Sequence, residues 1–204
     1  MAEQLRRYAR CGADLLVLGL ARGGVPVAAT VAGELRASLD VLVARKLGTP
    51  GRPEFALGAI AAVGAEVELV CDRSAFVQRQ IPADVFGAIY RRELGELRRR
   101  QLVYRDGRPA APITGRAVIL ADDGLATGST MRAAVAAVRR QRPCWLVVAV
   151  PVGPAQTCRE LRGQVDDFVC VWTPSPFRAV GQAYRDFSPT SDAQVRRILA
   201  EFTP

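Results

Sequence analysis

The sequence predicts an α/β fold, a parallel sheet flanked by helices, and three observations carry that prediction. Short apolar runs without polar alternation, LLVLGL (15–20), VLVA (41–44), AVILA (117–121) and WLVVAVPV (145–152), read as strands covered on both faces. Glycine- or proline-marked turns follow several of them and lead into helical stretches, and strand, loop, helix is the repeating unit of a parallel sheet. Half of the 204 residues are hydrophobic, enough for a well-buried core, and a single domain over 1–204 is expected.

In chain order, residues 2–10 read as a helical remnant and 15–20 as the first strand, ending in the glycine turn ARGGVPVA. Pro26 suits the first turn of a helix running to about Leu39, because proline there loses no helical hydrogen bond. After the strand at 41–44, RKLGTPGRPEF carries two glycines and two prolines and reads as a long, mobile loop over 46–56. Residues 57–63 and 67–71 form a hairpin around Gly64. Helical sequence with Pro82 near its start then runs to about Tyr104, within a helical segment and connector spanning about 72–110. The strand at 117–121 opens through DDGLATGST into the helix MRAAVAAVRR. Strand 145–152, a helix near 155–163, the strand DFVCVW (167–172) and a last helix from Ser191 to about Glu201 complete the reading.

Composition removes several kinds of chemistry. With no histidine, a Ser/His/Asp triad, a His-ligated metal and an imidazole base are excluded, and acid–base work falls to carboxylates. The five cysteines, at 11, 71, 144, 158 and 170, have no CxxC spacing, so neither a disulfide framework nor a zinc knuckle is indicated. No apolar run reaches the ~18 residues of a spanning helix, and the start lacks a signal-peptide core, so a cytoplasmic protein without a membrane partner is expected. The net charge of +8 is concentrated in RRELGELRRRQLVYRDGR (91–108), with seven arginines. Glu93 and Glu96 interrupt it, Leu94, Leu97 and Leu102 have rough helical spacing, and a lone Tyr104 is no aromatic interleaving of the kind that supports base stacking, so it reads as a solvated helix face rather than a nucleic-acid surface. Lys46 is the single lysine among 28 basic residues. It marks either a position needing a compact charge or an ordinary surface site.

The strongest chemical signal is DDGLATGST. Adjacent carboxylates at the carboxyl end of a buried strand lie where open α/β sheets bind ligands. Asp122 and Asp123 can accept hydrogen bonds from vicinal hydroxyls or bind a hydrated Mg²⁺. Gly124 and Ala126 carry the loop to Thr127, Gly128, Ser129 and Thr130, whose small side chains and free N–H groups at a helix start suit a phosphate. A helix cap alone would need only one such residue. There is no GxxxxGK[ST] loop and no GxGxxG, which argues against a P-loop or a plain dinucleotide-binding Rossmann domain.

DDGLATGST resembles the ribose-phosphate signature of the type I phosphoribosyltransferases. LGLARGGVPVA looks like that family's pyrophosphate loop, VLVARKLGTPGRPEFALGAI like its strand and flexible loop, and FRAVGQAYRDF like its C-terminal hood, placed at about 172–190. RGGVPVA, RKLG and DDGLATG are closest to an uncharacterised bacterial branch. The resemblance implies 5-phosphoribosyl 1-pyrophosphate (PRPP) with Mg²⁺ as donor, transfer of ribose 5-phosphate to a nitrogen acceptor, release of pyrophosphate, a role in nucleotide salvage, and a homodimer. Asp122 and Asp123 would hold the ribose hydroxyls and, directly or through water, the metal, and residues 124 and 126–130 the 5-phosphate. Arg22, Gly23 and Gly24 would receive the pyrophosphate, with Arg45 and Lys46 neutralising it as it leaves. Glu54 is a weaker acid or base candidate. Phe177 would stack on the acceptor, with Trp172 or Tyr184 flanking it, and Asp186 matches a hood acid at a shifted spacing. Ala126 stands where 6-oxopurine enzymes carry an acid, Ala21 where the close branch commonly has proline, and the chain is expected to lack an N-terminal piece that relatives carry. The rival reading is a non-catalytic PRPP-binding regulator, able to bind nucleic acid through Arg98, Arg99 and Arg100.

Overall fold

The computed structural model describes residues 1–49, 52–64, 66–71 and 81–202, with side chains except at 13 and 52–56. Its strands are β1 (Leu15–Leu20), β2 (Ser38–Thr49), β3 (Arg52–Val63), β4 (Glu66–Cys71), β5 (Ala117–Ala121), β6 (Trp145–Val152) and β7 (Asp167–Trp172). They form one seven-stranded sheet in the order β4-β3-β2-β1-β5-β6-β7. Strands β2, β1, β5, β6 and β7 run parallel, and β3 and β4 add an antiparallel edge. The helices are α1 (Ala2–Leu5), α2 (Gly24–Leu35), α3 (Ala83–Arg105), α4 (Ser129–Arg140), α5 (Ala155–Arg162) and α6 (Asp192–Glu201), with 3₁₀ segments at Arg6–Asp14 and Val180–Ala183.

The buried runs behave as expected of central parallel strands. Every residue of β1 and β5 is buried, and alternate residues feed two cores, one on each sheet face. Val17, Val41, Val43 and Leu47 pack with α2, α3 and α6 through Val25, Leu97, Tyr104 and Leu199. Leu18, Leu20, Leu42 and Ala44 pack with α4 and α5 through Met131, Val138 and Leu161. Helix α2 lies so close to β1 that a Cβ on Gly19 would sit 2.9 Å from Ala28 Cβ and from Val25 Cα.

Helix α2 ends at Leu35 rather than near Leu39. Arg36 turns left-handed (φ +52°), and Ser38–Asp40 are drawn into parallel pairing with Leu16–Leu18 of β1, a long-range contact that local helical sequence does not reveal. The expected long loop at 46–56 is also corrected, because Lys46–Thr49 and Arg52–Ala56 continue β2 and β3. Arg45 pairs with Ile60, Lys46 with Ala59 and Leu47 with Gly58, and register shifts follow between Leu47 and Thr49. On its other side β3 lies close to β4: a Cβ on Gly58 would lie 2.3 Å from the Val70 carbonyl oxygen. The Glu54 side chain and residues 72–80 lie outside the described residues.

The arginine-rich run is helix α3, and its cations are largely committed to local carboxylates. Arg99 and Arg100 both bind Glu96, whose carboxyl they hold down at a pKa of about 2. Arg105 reaches Asp40 and the Val41 carbonyl. Among the described residues no helix is long and apolar enough to cross a membrane.

Candidate active site

The site forms where the chain reverses direction across the sheet. From β1 the chain passes through α2 to β2 on one side, and from β5 through α4 to β6 on the other, so a crevice opens between the carboxyl ends of β1 and β5. The loops Ala21–Gly23 and Asp122–Gly128 face each other there. Their main chains are anchored in neighbouring strands: Ala21 N donates to Leu42 O (3.0 Å), Asp122 N to Ala149 O (3.3 Å) and Leu125 N to Val152 O (2.8 Å).

Gly23 and Gly24 are glycines because the acidic pair leaves no room for a side chain. A Cβ on Gly24 would meet Ala121 O at 2.6 Å and Asp122 Cα at 2.8 Å, and one on Gly23 would meet Asp123 Oδ2 at 1.8 Å. Residues predicted separately as a pyrophosphate loop and a ribose loop are therefore in direct contact. Arg22 lies at the same place, lining a cavity of about 520 Å³ with Gly23, Asp123, Tyr184, Asp186 and Phe187. It is also within 3.6 Å of Asp192 at the start of α6.

The acidic pair is partly desolvated. Burial, reinforced by repulsion from Asp123, pushes the Asp122 carboxyl well above the usual carboxylate range, and burial raises Asp123 as well. The Asp123 N–H donates to Asp122 Oδ1 (2.9 Å) and fixes the turn. Such a pair gains from a cation or hydroxyl donors. Among the described residues no cluster of three His, Cys, Asp or Glu could cage a metal. Two carboxylates without a protein cage still fit Mg²⁺, which commonly takes one or two carboxylates and completes its shell with water and substrate phosphate oxygens.

Beyond the pair, Gly128 adopts φ +75° at the start of α4, and no side chain caps that helix. Its first N–H groups therefore keep the donor capacity an anion would use. A Cβ on Gly128 would fall 2.7 Å from Thr157 Cγ2. Thr157 Oγ1 donates to Ala126 O (3.1 Å), and Arg132 donates to Thr127 O (2.7 Å) while pairing with Glu160. Thr127 and Ser129 hydroxyls lie 3.1 Å apart on the loop. Thr157 and Arg132 were not singled out by the sequence; their role is set by α5 packing under the loop, which only the fold reveals.

Other predicted residues are not among those that line this cavity. Arg45 and Lys46 are neighbours on β2, so they leave opposite faces of the strand. Arg45 binds the buried Glu93 of α3 through Nε (2.9 Å) and a terminal nitrogen (2.5 Å). Neither residue is among those lining the cavity beside Asp123. Phe177 is half-buried and also absent from that cavity wall, where Tyr184 and Phe187 stand instead, their rings 5.1 Å apart. Phe187 follows Asp186 with no pattern of its own, and its place comes from packing on Gly181, where a Cβ would lie 3.0 Å from the ring.

This crevice, with an acidic pair, a glycine loop pressed against it and an open helix start, defines a phosphoribosyltransferase-type α/β domain. Residues 1–180 match the phosphoribosyl transferase domain family, and the chain belongs to that family. Two Mycobacterium tuberculosis proteins, whose names assign them provisionally to the phosphoribosyl transferases, are 45% identical to it over 199 residues, 98% of this chain. The chain spans 44% of the length of those relatives. The crystal structure of TT1426 from Thermus thermophilus is similar throughout, with 39% identity, a TM-score of 0.79, and coverage of 100% of this chain and 96% of that one.

Proposed function

We propose that this chain transfers ribose 5-phosphate from PRPP to a nitrogen of a small, nucleobase-like acceptor and releases pyrophosphate. The observation that carries this reading is the contact of Gly23 and Gly24 with Asp122 and Asp123, beside the uncapped start of α4. One crevice then offers acceptors for ribose hydroxyls, N–H donors for the 5-phosphate at Thr127–Thr130, and a glycine loop with Arg22 for pyrophosphate. Mg²⁺ held through Asp122 and Asp123, directly or through water, would offset charge on the donor's oxygens. Asp122 and Asp123 orient the ribose, the main chain of 127–130 fixes the phosphate end, and Arg22 stabilises charge gathering on the departing pyrophosphate. The cavity walled by Tyr184 and Phe187 offers aromatic faces on which a flat acceptor can stack. A salvage role in the cytoplasm and a homodimer belong to the same proposal.

The test is pyrophosphate release from PRPP and Mg²⁺ across a panel of purines and pyrimidines. Release that depends on one base supports the reading and names the acceptor; no release with any base, despite tight PRPP binding, moves the second reading forward. That reading, a PRPP-binding regulator without turnover, draws support from Arg45, whose guanidinium is engaged by the buried Glu93.

A further inference from the structure

The segment between β7 and α6, residues 173–190, forms one wall of the cavity beside Asp123, yet it holds little regular structure beyond the Val180–Ala183 turn. Its internal bonds are local: Arg178 N to Gln182 Oε1, and the Ser188 N–H and hydroxyl to Asp186 Oδ1. Among the described residues a single hydrogen bond ties it to the rest of the molecule, from the Tyr184 hydroxyl to the Asp123 carbonyl oxygen at 2.6 Å. Packing reinforces the same place. Gly124 is closed over by Val180, whose Cγ1 would lie 2.5 Å from a Cβ there, and Gly181 supports the Phe187 ring, which meets Tyr184.

We propose that Tyr184 is a positioning residue that latches the 173–190 segment to the main chain of the acidic loop, so that the acceptor wall and the Asp122–Asp123 carboxylates are set together. The inference rests on the donor reading above for its functional meaning, but the latch itself is a property of the free protein. A phenol suits this role, because its ring packs against Phe187 while its hydroxyl reaches past the ring to donate to the Asp123 carbonyl oxygen. From Tyr184 onward this wall lies beyond residue 180, where the family match ends, and the hood resemblance gives Tyr184 only a flanking place at the acceptor, not a bond to the acidic loop. Donor seated on the acidic loop would be felt in the acceptor wall through one hydroxyl, and the reverse follows by linkage.

Tyr184→Phe keeps the ring against Phe187 and removes only the latch, and strand amides in β1 and β5 report that the fold is intact. Amide hydrogen exchange is followed in the free protein and with saturating PRPP and Mg²⁺. In the free variant, 174–190 is expected to exchange about fivefold faster than in the unaltered protein, the factor one net hydrogen bond supplies. Donor is expected to protect both 123–131 and 174–190 in the unaltered protein and only 123–131 in the variant. Unchanged free-state exchange at 174–190, or donor protection transmitted there equally in the variant, overturns the latch. If donor protects nothing at 123–131 in the unaltered protein, the donor reading fails, and the latch is decided by the free-state rates alone.

Discussion

Replacing Gly23 by alanine separates damage to the site from damage to the fold. Gly23 has φ −61° and ψ −31°, an ordinary right-handed conformation that alanine adopts freely. Backbone strain is therefore absent, and alanine's smaller unfolded-state entropy contributes about 0.4–1 kcal/mol in its favour. The obstacle is Asp123: its Oδ2 would lie 1.8 Å from the new methyl, and the carboxylate must retreat by about 1.2 Å to reach even the closest distance that real Cβ atoms tolerate. A carboxylate at the end of a rotatable side chain can do this cheaply, so the unfolding free energy should change by less than about 1 kcal/mol. The displaced oxygen, however, no longer meets a ribose hydroxyl or the metal. Losing one charge-assisted hydrogen bond, about 1.5–3 kcal/mol, should weaken PRPP binding about 10- to 100-fold. Gly24→Ala is the contrast, because its methyl would meet the Ala121 and Asp122 main chain, which cannot swing aside, so stability should fall by about 1–3 kcal/mol. Thermal unfolding and PRPP calorimetry on both variants give the comparison. Gly23→Ala with unchanged PRPP affinity would refute the reasoning, since Asp123 would then have moved without consequence.

Three further outcomes follow from the same structure. Glu93→Gln leaves Arg45 without its buried counter-charge and should lower stability by about 1–3 kcal/mol, less than a fully buried pair because Arg45 keeps some solvent contact; urea unfolding with no loss would contradict this. Burial raises the Asp122 carboxyl in the folded state, so the native chain holds its proton more tightly than the unfolded chain, and this stability is present below the unfolded value near ~4 and lost as pH rises through the raised value. Asp122→Asn should therefore stabilise the ligand-free protein at neutral pH and flatten its pH dependence above ~4, while weakening PRPP binding; unfolding curves that are less stable at neutral pH would count against it. Arg132→Ala frees the Thr127 carbonyl and breaks the link to Glu160. It should weaken inorganic phosphate or PRPP binding about 3- to 10-fold with little loss of stability, and an unchanged affinity would place the 5-phosphate elsewhere.

Elements whose residues carry their own pattern were legible in the sequence. LLVLGL and AVILA have no polar face, and DDGLATGST combines a strand end, paired carboxylates and a helix start in nine residues, so both the strands and the candidate site could be read locally. Ser191 also announced α6, where it forms a capping box with Gln194. Features set by distant partners were not legible. Nothing near Arg45 signals that Glu93, 48 positions away, will take its guanidinium. The antiparallel pairing of Arg45–Thr49 with residues between Arg52 and Ile60 outweighs glycines and prolines that locally suggest a loop. Phe187 joins Tyr184 in the cavity wall only because the chain folds back over Gly124 after β7, a path with no periodic signature.

The central claim is that PRPP binds at the Asp122–Asp123 crevice, and calorimetric titration of PRPP with Mg²⁺ into the protein and into Asp123→Asn tests it most directly. The expected result is saturable binding that weakens at least about tenfold in the variant, the loss expected when a charged partner of hydroxyls and metal becomes neutral. Equal affinity in the two proteins, or no binding to the unaltered chain, would contradict the assignment.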